Sequence, residues 1–216
     1  PTPLAHSYAA MARSLGLLRT PLFQRRSAGP VTVSLALLSP PAVILSGDVR
    51  HDSPELRFHL GAMLAAATPQ YALLFGSPES QGRAVLRGLA FAFSPPRANA
   101  GNSGAVLNLA EVLWESIPAR LQRRLRELCE DPDALDYDVS ISAAKLAVRR
   151  AGFFGSGDLG VALRQVAGED EYALDTAEQN MRTFVRDNAT ARNLYSLALG
   201  AEYAHTRFQF GRGGAR

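Results

Sequence analysis

Apolar residues recur every three or four positions along most of this chain, the spacing that places them on one face of an α-helix. The pattern predicts helices over residues 4–17, 54–68, 105–117, 134–154, 159–166, 176–188 and 190–199, with two more between Ser77 and Pro95 and after Pro118. Four of these helices are predicted to begin at a residue that caps helices well, namely Ser53, Ser77, Asp158 and Thr190. Proline follows each serine at the first helical position, where its missing N–H leaves no hydrogen bond unmade.

Three short apolar runs, at residues 21–24, 31–37 and 42–45, have the composition of β-strands. Pro40 and Pro41 exclude a helix between the last two runs and favour a turn. The predicted fold is therefore α+β and predominantly α-helical: a helical domain with a small N-terminal antiparallel β-sheet. We expect one globular domain over residues 1–209, a possible subdomain break at the glycine- and asparagine-rich stretch 95–104, and a disordered tail over 210–216.

The composition is that of an ordinary globular protein, with 216 residues, 47% hydrophobic and 20% charged. No apolar stretch approaches the ~20 residues of a membrane span. The one cysteine, Cys129, has no intramolecular partner for a disulfide, and a cytoplasmic location is expected. The chain starts at Pro1 without a signal-like segment, which is typical of an excised fragment or a processed product.

The formal charge is +3, and all but one of the 23 Lys and Arg residues are arginine. This arginine content does not predict nucleic-acid binding, because basic footprints on nucleic acids are usually denser and interleaved with aromatic residues. The densest cluster contains Arg120, Arg123 and Arg124, which share one face of a predicted helix. That face is either solvated surface or a contact for an acidic partner.

The sequence offers little for catalysis. None of the four histidines (His6, His51, His59, His205) is paired at i and i+4, as an HExxH zinc helix requires, and His59 stands alone on an apolar helix. No nucleophile elbow or phosphate-binding loop is present, and Asp158 at its helix start would repel a phosphate. The carboxylate pairs, Glu111 with Glu115 and Asp136 with Asp138, are ordinary on exposed faces. We expect no catalytic residue, no metal and no cofactor.

Two segments nevertheless resemble motifs of a known enzyme family. Residues 55–66, Glu-Leu-Arg-Phe-His-Leu-Gly-Ala-Met-Leu-Ala-Ala, resemble the active-site helix of HExxH zinc metallopeptidases of the CAAX-prenyl-protease type. Aligned on Gly61, the first histidine of that motif falls at Ala62, the glutamate at Met63 and the second histidine at Ala66. Residues 144–152 resemble the family's E-x-x-A-D-R-x-G segment, with Lys145 in place of the third zinc ligand and Arg149 in place of the aspartate.

The chain also resembles a degenerate version of that domain, a pseudoenzyme fused to tetratricopeptide-repeat regions in large bacterial proteins. The shared signals are a Leu-Gly turn at 15–16, the helix 60–65 followed by Pro69, and the R-A-G-x-x-x-x-G-D-L turn at 150–159. The resemblance implies that the metal ligands and the general base are lost, because alanine and lysine at those positions cannot build a zinc site.

We therefore expect the helices 54–68 and 134–154 to cross closely through small residues, namely Gly61, Ala62, Ala65, Ala66, Ala143, Ala144 and Ala147. A buried Lys145 or Arg149 would need a carboxylate partner or a route to solvent. The leading functional hypothesis is a non-catalytic scaffold or interaction domain whose partner is another protein or another part of the parent chain. The alternatives are a small-molecule or peptide-binding module that uses the old cleft between sheet and helices, and an enzyme of unrecognised chemistry. The oligomeric state stays open.

Overall fold

The computed structural model describes residues 2–49, 51–94, 104–130, 135–170 and 178–213. The chain divides into two compact units: the first unit comprises Pro1–Ala72 and Lys145–Arg216, and the second unit comprises Leu73–Ala144. The predicted break at 95–104 falls inside the second unit, and residues 95–103 of that stretch lie outside the described residues.

The described residues form eleven helices and three strands, so the predicted α+β, predominantly helical class is confirmed. The strands are β1 (Leu22–Arg25), β2 (Thr32–Ala36) and β3 (Ala42–Ser46). The helices are α1 (Pro3–Ser14), α2 (Pro54–Ala66), α3 (Ala72–Gly76), α4 (Glu79–Phe93), α5 (Gly104–Ser116), α6 (Ala119–Leu128), α7 (Tyr137–Ser156), α8 (Leu159–Glu169), α9 (Glu178–Asp187), α10 (Ala189–Ala198) and α11 (Ala201–Gly213). Within the described residues, no helix has the length and apolar content needed to cross a membrane.

The sheet of the first unit is mixed, and the prediction of a purely antiparallel sheet is wrong. The strand order is β1-β3-β2, with β3 antiparallel to β2 and parallel to β1. Chain direction does alternate from strand to strand, as short connections require. However, β3 inserts between β1 and β2, so the two strands that run in the same direction become neighbours, with Val43 opposite both Leu22 and Leu35.

Two of the predicted N-caps are confirmed. Ser53 accepts a hydrogen bond from the Leu56 N–H (3.2 Å), and Asp158 accepts one from the Val161 N–H (2.9 Å). The caps predicted at Ser77 and Thr190 are wrong. The Ser77 hydroxyl instead donates to the carbonyl of Leu73 in α3, four residues earlier, and α4 begins after Pro78. Helix α10 begins at Ala189, because Asn188, two residues before Thr190, accepts from the Ala191 N–H and caps the helix (3.0 Å).

The C-terminal end of the described chain is helical. Helix α11 continues to Gly213, into the stretch 210–216 that was predicted as a disordered tail, and residues 214–216 lie outside the described part. Helix α7 likewise runs through Gly155 and Ser156, where the sequence predicted its end. Glycine lowers helix propensity only by ~1 kcal/mol, a cost that tertiary packing readily offsets.

Helix α2 is the central element of the first unit, because it contributes to two apolar clusters. Leu56, Leu60 and Leu64 pack in a cluster with α1 and β3. Phe58 belongs to the other cluster, which contains Phe153 of α7 and buried residues of α8, α9 and α10. A helix that is apolar on several faces is typical of a buried position, and seven of the thirteen α2 residues are buried.

The second unit is built around the pair α4 and α5. A Cβ added at Gly88 of α4 would lie 3.1 Å from Leu109 of α5, so the two helices pack tightly. Phe93 stacks on Trp114 with a centroid distance of 5.5 Å, and the Arg126 guanidinium of α6 lies 5.1 Å from the Trp114 ring.

Candidate functional site

The crossing of α2 and α7 is a backbone-to-backbone contact made by three glycines. A Cβ added at Gly61 would lie 2.6 Å from the Ala151 carbonyl oxygen, and one at Gly152 would lie 2.9 Å from the Phe58 carbonyl oxygen. A Cβ at Gly155 would lie 2.7 Å from the Arg57 carbonyl oxygen. The predicted close crossing is therefore confirmed. On α7 it lies about two turns beyond the alanines predicted to make it, 143, 144 and 147.

Of the five positions that the resemblance assigns to the active site, four are buried or half-buried and one is exposed. Ala62 and Ala66 are buried, Met63 is half-buried against the cluster of α1 and β3, and Lys145 is exposed. Alanine has no atom that can ligate zinc, and a thioether is no base for activating water. These residues do not fit a zinc centre. In the part of the chain that the structure describes, no group of three or more His, Cys, Asp or Glu side chains could hold a metal ion.

Arg149, at the fifth position, is buried and bound to two carboxylates. Its Nε donates to Glu169 Oε2 (2.8 Å), and its Nη2 donates to Asp170 Oδ1 (2.7 Å). Its Nη1 donates to Thr190 Oγ1 (3.3 Å). Burial lowers the pKa of Arg149, but the hydrogen bonds to Asp170 and Glu169 outweigh that effect and the pKa is raised. The guanidinium therefore stays charged, and it links α7 to the end of α8 and the start of α10.

The expectation that a buried arginine here needs carboxylate partners is confirmed. Glu169 and Asp170 stand at the C-terminal end of α8, where the helix dipole disfavours negative charge. Arg149 offsets this repulsion by placing a positive charge against both groups. Asn188 adds a further hydrogen bond, from its Nδ2 to Asp170 Oδ2 (3.0 Å), so the same carboxylate also positions the cap of α10.

An open, mostly apolar groove of the first unit lies among α8, α9 and α10. We call it the arginine-rimmed groove. Its volume is about 500 Å³, and it is lined by Leu159, Gly160, Leu163, Met181, Arg182, Val185, Arg186, Arg192 and Tyr195. Leu163 belongs to the buried core, and Leu159, Met181 and Val185 pack against that core while still lining the groove. Arg182, Arg186, Arg192 and Tyr195 are exposed around it.

Three arginines, Arg182, Arg186 and Arg192, line the rim of the groove. Arg192 Nη1 donates to the Arg186 carbonyl oxygen (2.8 Å), which holds this guanidinium against the end of α9. Arg186 donates from Nε to Asp187 Oδ1 (2.8 Å) and from Nη2 to Oδ2 (3.1 Å). Hydrogen bonding to Arg186 is the main cause that lowers the pKa of Asp187, and the charge of Arg192 lowers it further. At this rim, Arg186 and Arg192 therefore both stabilise the charged form of Asp187.

The pattern of the amino-acid sequence did not predict this groove. A signal was present in α9, where Met181, Phe184 and Val185 form an apolar stripe flanked by Arg182 and Arg186. Phe184 is fully buried, but Met181 and Val185 stay half-buried. The core therefore covers only part of this apolar stripe. Sequence periodicity shows that a helix has an apolar face, but it does not show how much of that face the rest of the fold covers.

A second cavity lies where the resemblance implied a cleft, between the sheet and α2. Its volume is about 300 Å³, and it is lined by Val31, Val33, Asp48, Val49, His51, Ser53, Glu55, Leu56 and His59. His59 is half-buried, with its ring edge-on to Phe58 at a centroid distance of 5.7 Å. The cavity combines apolar walls with two imidazoles and two carboxylates, a mixture that suits a small polar ligand.

The other predicted positions lie in the second unit. Arg120, Arg123 and Arg124 are exposed on α6, where Arg123 lies 3.4 Å from Glu127. The pair Glu111 and Glu115 is exposed on α5.

The pair Asp136 and Asp138 has structural contacts. Asp136 Oδ1 accepts hydrogen bonds from the N–H groups of Asp138 and Val139 at the start of α7 (2.7 and 3.0 Å). Arg83 Nη1 donates to Asp138 Oδ2 (2.9 Å), and the Arg83 guanidinium lies 4.5 Å from the Tyr137 ring centroid. Hydrogen bonding to Arg83 lowers the pKa of Asp138.

Comparisons of this chain with models of known protein families, with curated proteins and with solved structures found no match. The resemblance to the CAAX-prenyl-protease type of metallopeptidase therefore stays a prediction.

Proposed function

We propose that this chain is a non-catalytic interaction domain of a larger protein, with a metallopeptidase-like ancestry, and that the arginine-rimmed groove is its binding surface. One observation carries the binding role: a concave apolar surface of about 500 Å³ is bordered by three guanidiniums on neighbouring helices. An apolar depression with a few convergent polar groups is the usual form of a recognition site. Its apolar residues, Leu159, Met181 and Val185, are left half-covered by the core beneath them.

The non-catalytic part of the proposal is supported by what the residues at the inferred catalytic positions do instead. Ala62 and Ala66 are buried beside the glycine contact of α2 with α7, and Arg149 is bound to Glu169 and Asp170. Side chains that complete the core and its buried ion pair have a structural role that does not require a substrate.

The binding role can be tested by photo-crosslinking from the groove. A photoreactive phenylalanine analogue is placed at Tyr195, which is 45% exposed on the groove, or at Phe23 on β1, which is 51% exposed and serves as the matched control. In cells of the source organism, we expect position 195 to give a discrete protein adduct that position 23 does not give. Equal labelling from both positions would contradict the assignment of the groove.

The non-catalytic role can be tested by elemental analysis of the purified, tag-free protein. Alanine at the ligand positions provides no zinc-binding atoms, so we expect no zinc at the stoichiometry of a structural or catalytic site. Stoichiometric zinc would overturn the pseudoenzyme proposal and direct attention to the four histidines.

A second candidate function is the binding of a small ligand in the cavity between the sheet and α2. It is favoured by His51 and His59, which line about 300 Å³ together with Asp48 and Glu55. A screen of small polar metabolites for stabilisation against heat tests this function. A true ligand raises Tm in the native chain, and the rise is lost in His59→Leu; a rise that His59→Leu retains would exclude this cavity as the site.

A further inference from the structure

The amino-terminal part of the first unit carries a one-sided charge. Residues 1–47, which include α1 and all three strands, contain four arginines and no Asp or Glu. The four are exposed, and within the described residues none of their guanidiniums has a hydrogen bond or an ion pair: Arg13, Arg19, Arg25 and Arg26. Their positive charge is therefore available to an anionic partner.

Three exposed leucines lie at one end of the sheet. Leu18 precedes β1 and is 69% exposed, and Leu37 and Leu38 follow β2. The start of β1 and the end of β2 both lie opposite the start of β3, so the two loops are at the same end of the sheet. Only β3 separates them, which places them about 10 Å apart, twice the spacing of neighbouring strands. We call the loops 15–21 and 37–41 the leucine end.

Two of the unpaired arginines lie beside these leucines. Arg13 is in the last turn of α1, just before the first loop, and Arg19 follows Leu18 within it. An arginine side chain has a long apolar stem, so its guanidinium can stay in a polar layer while neighbouring leucines enter an apolar one. The leucine end therefore combines apolar tips with free positive charge, as do surfaces that bind anionic lipid.

The backbone of the leucine end also suits a lipid surface. In the first loop, the N–H groups of residues 16, 17 and 20 donate to carbonyls within residues 12–17. In the second loop, the Leu38 N–H donates to the Ala36 carbonyl oxygen (2.9 Å), and the prolines at 40 and 41 have no N–H. Lipid offers few partners to backbone donors, so loops that satisfy or lack many of them can enter it at low cost. An acidic protein partner would not require this property.

We propose that the leucine end binds the surface of an anionic lipid membrane. Leu18, Leu37 and Leu38 enter the layer between headgroups and acyl chains, and Arg13 and Arg19 lie at the lipid phosphates. The negative potential of such a membrane attracts the unpaired arginines. This surface shares no residue with the arginine-rimmed groove, so the inference does not depend on the proposed function.

Co-sedimentation of the full 216-residue chain with lipid vesicles tests the inference. One vesicle type contains phosphatidylcholine alone, and the other also contains phosphatidylserine. We expect binding only to the vesicles with phosphatidylserine, and added salt should weaken it because salt screens exposed charges. Equal binding to neutral vesicles, or no binding to either type, would overturn the inference. Equally tight binding of soluble polyglutamate would also overturn it, because the occupant would then be an acidic protein.

Paired substitutions separate the two contributions. Arg13→Gln with Arg19→Gln should weaken binding about tenfold or more, through lost attraction to the anionic surface. Leu18→Ser with Leu38→Ser should weaken it by a similar factor, through lost apolar contact. The four side chains are exposed, so far-ultraviolet circular dichroism should match that of the native chain.

Helix α6 provides the matched controls. Arg120→Gln with Arg124→Gln, and separately Leu121→Ser with Leu128→Ser, make the same chemical changes at exposed residues of the second unit. Both pairs should leave binding to the anionic vesicles nearly unchanged. If they weaken it as much as the pairs at the leucine end, the inference fails.

A fluorescent label locates the contact without relying on affinity. Leu38→Cys is labelled with acrylodan, an environment-sensitive dye, while the buried Cys129 stays unlabelled. The emission should shift to the blue when anionic vesicles are added. The same label at Leu199→Cys, an exposed position at the end of α10, should not shift. If the label at position 38 does not shift although the chain is bound, the membrane contact lies elsewhere and the inference is overturned.

Discussion

The backbone contact between α2 and α7 predicts that Gly61→Ala destabilises the first unit. The added Cβ would lie 2.6 Å from the Ala151 carbonyl oxygen, 3.3 Å from its carbonyl carbon and 3.4 Å from Gly152 Cα. All three neighbours are backbone atoms, so no side-chain rotation can relieve the overlap. The two helices must move apart, and the buried side chains around them must shift with them.

The change in the free energy of unfolding caused by Gly61→Ala follows from two opposing effects. Overpacking of a core costs ~1–3 kcal/mol, and a clash with backbone belongs at the upper end of that range. Replacing glycine by alanine inside a helix returns about 1 kcal/mol, because alanine has the higher helix propensity. The expected net loss is about 2 kcal/mol of unfolding free energy.

Gly168 in α8 is the matched control. It is an exposed helical glycine, and an added Cβ there would have no neighbour within 4 Å. Gly168→Ala therefore gains helix propensity without a steric cost, and we expect it to stabilise the chain by up to ~1 kcal/mol. The same chemical change thus has opposite signs at the two positions.

Urea unfolding followed by far-ultraviolet circular dichroism measures both effects. With a slope of roughly 2 kcal/mol per molar urea, Gly61→Ala should lower the midpoint by about 1 M. Trp114, the single tryptophan, lies in the second unit, so its fluorescence reports on that unit separately. An unchanged or raised midpoint for Gly61→Ala would refute the reasoning, because the helices would then accommodate a methyl group where the structure shows backbone contact.

Three further predictions concern the charged and nucleophilic groups. Arg149→Met keeps the apolar stem but leaves Glu169 and Asp170 without their buried partner, so urea unfolding should show a loss of about 2 kcal/mol. Arg150→Ala, at an exposed site, should stay within ~0.5 kcal/mol, and equal losses for the two variants would contradict the role of the buried pair. The lowered pKa of Asp138 gives stability that is present above its ordinary value of 3.8 and is lost as the pH falls through the lowered pKa. The urea midpoint should therefore fall more between about pH 7 and about pH 3 in the native chain than in Asp138→Asn, and equal falls would show that this ion pair contributes nothing. Burial raises the pKa of the Cys129 thiol, which is 3% exposed, so Ellman's reagent should react with it only in denaturant. Rapid labelling of the native chain would contradict that burial.

The features that sequence predicted well depend on neighbouring residues. Ser53 and Asp158 cap helices through hydrogen bonds to N–H groups three residues away, and such contacts can be recognised from local composition. Asn188 and Thr190 are both good caps, and the structure uses the first of them. Local sequence left that choice undecided because it depends on where the chain leaves α9.

The features that sequence missed depend on residues far apart in the chain. The parallel pairing of β1 with β3 requires β3 to enter between two earlier strands, which no local pattern encodes. The partners of Arg149 stand 20 and 21 residues further along, on another helix. Small residues at the crossing of α2 with α7 were predicted, but only the fold shows that glycines, rather than the alanines at 143, 144 and 147, make the contact.

Helix α6 has no buried residue, whereas α2 has seven, and this difference should determine which backbone amides become exposed to solvent first. Every residue of α6 is described, and none is buried. Its amide hydrogens should therefore exchange with deuterium through brief local opening. The amides around Gly61 should exchange only when the whole unit unfolds. Because α6 also carries Arg120, Arg123, Arg124 and Arg126, the same brief opening should expose it to trypsin, which cleaves after arginine. Helix α6 is where we expect limited proteolysis to make one of its first cuts.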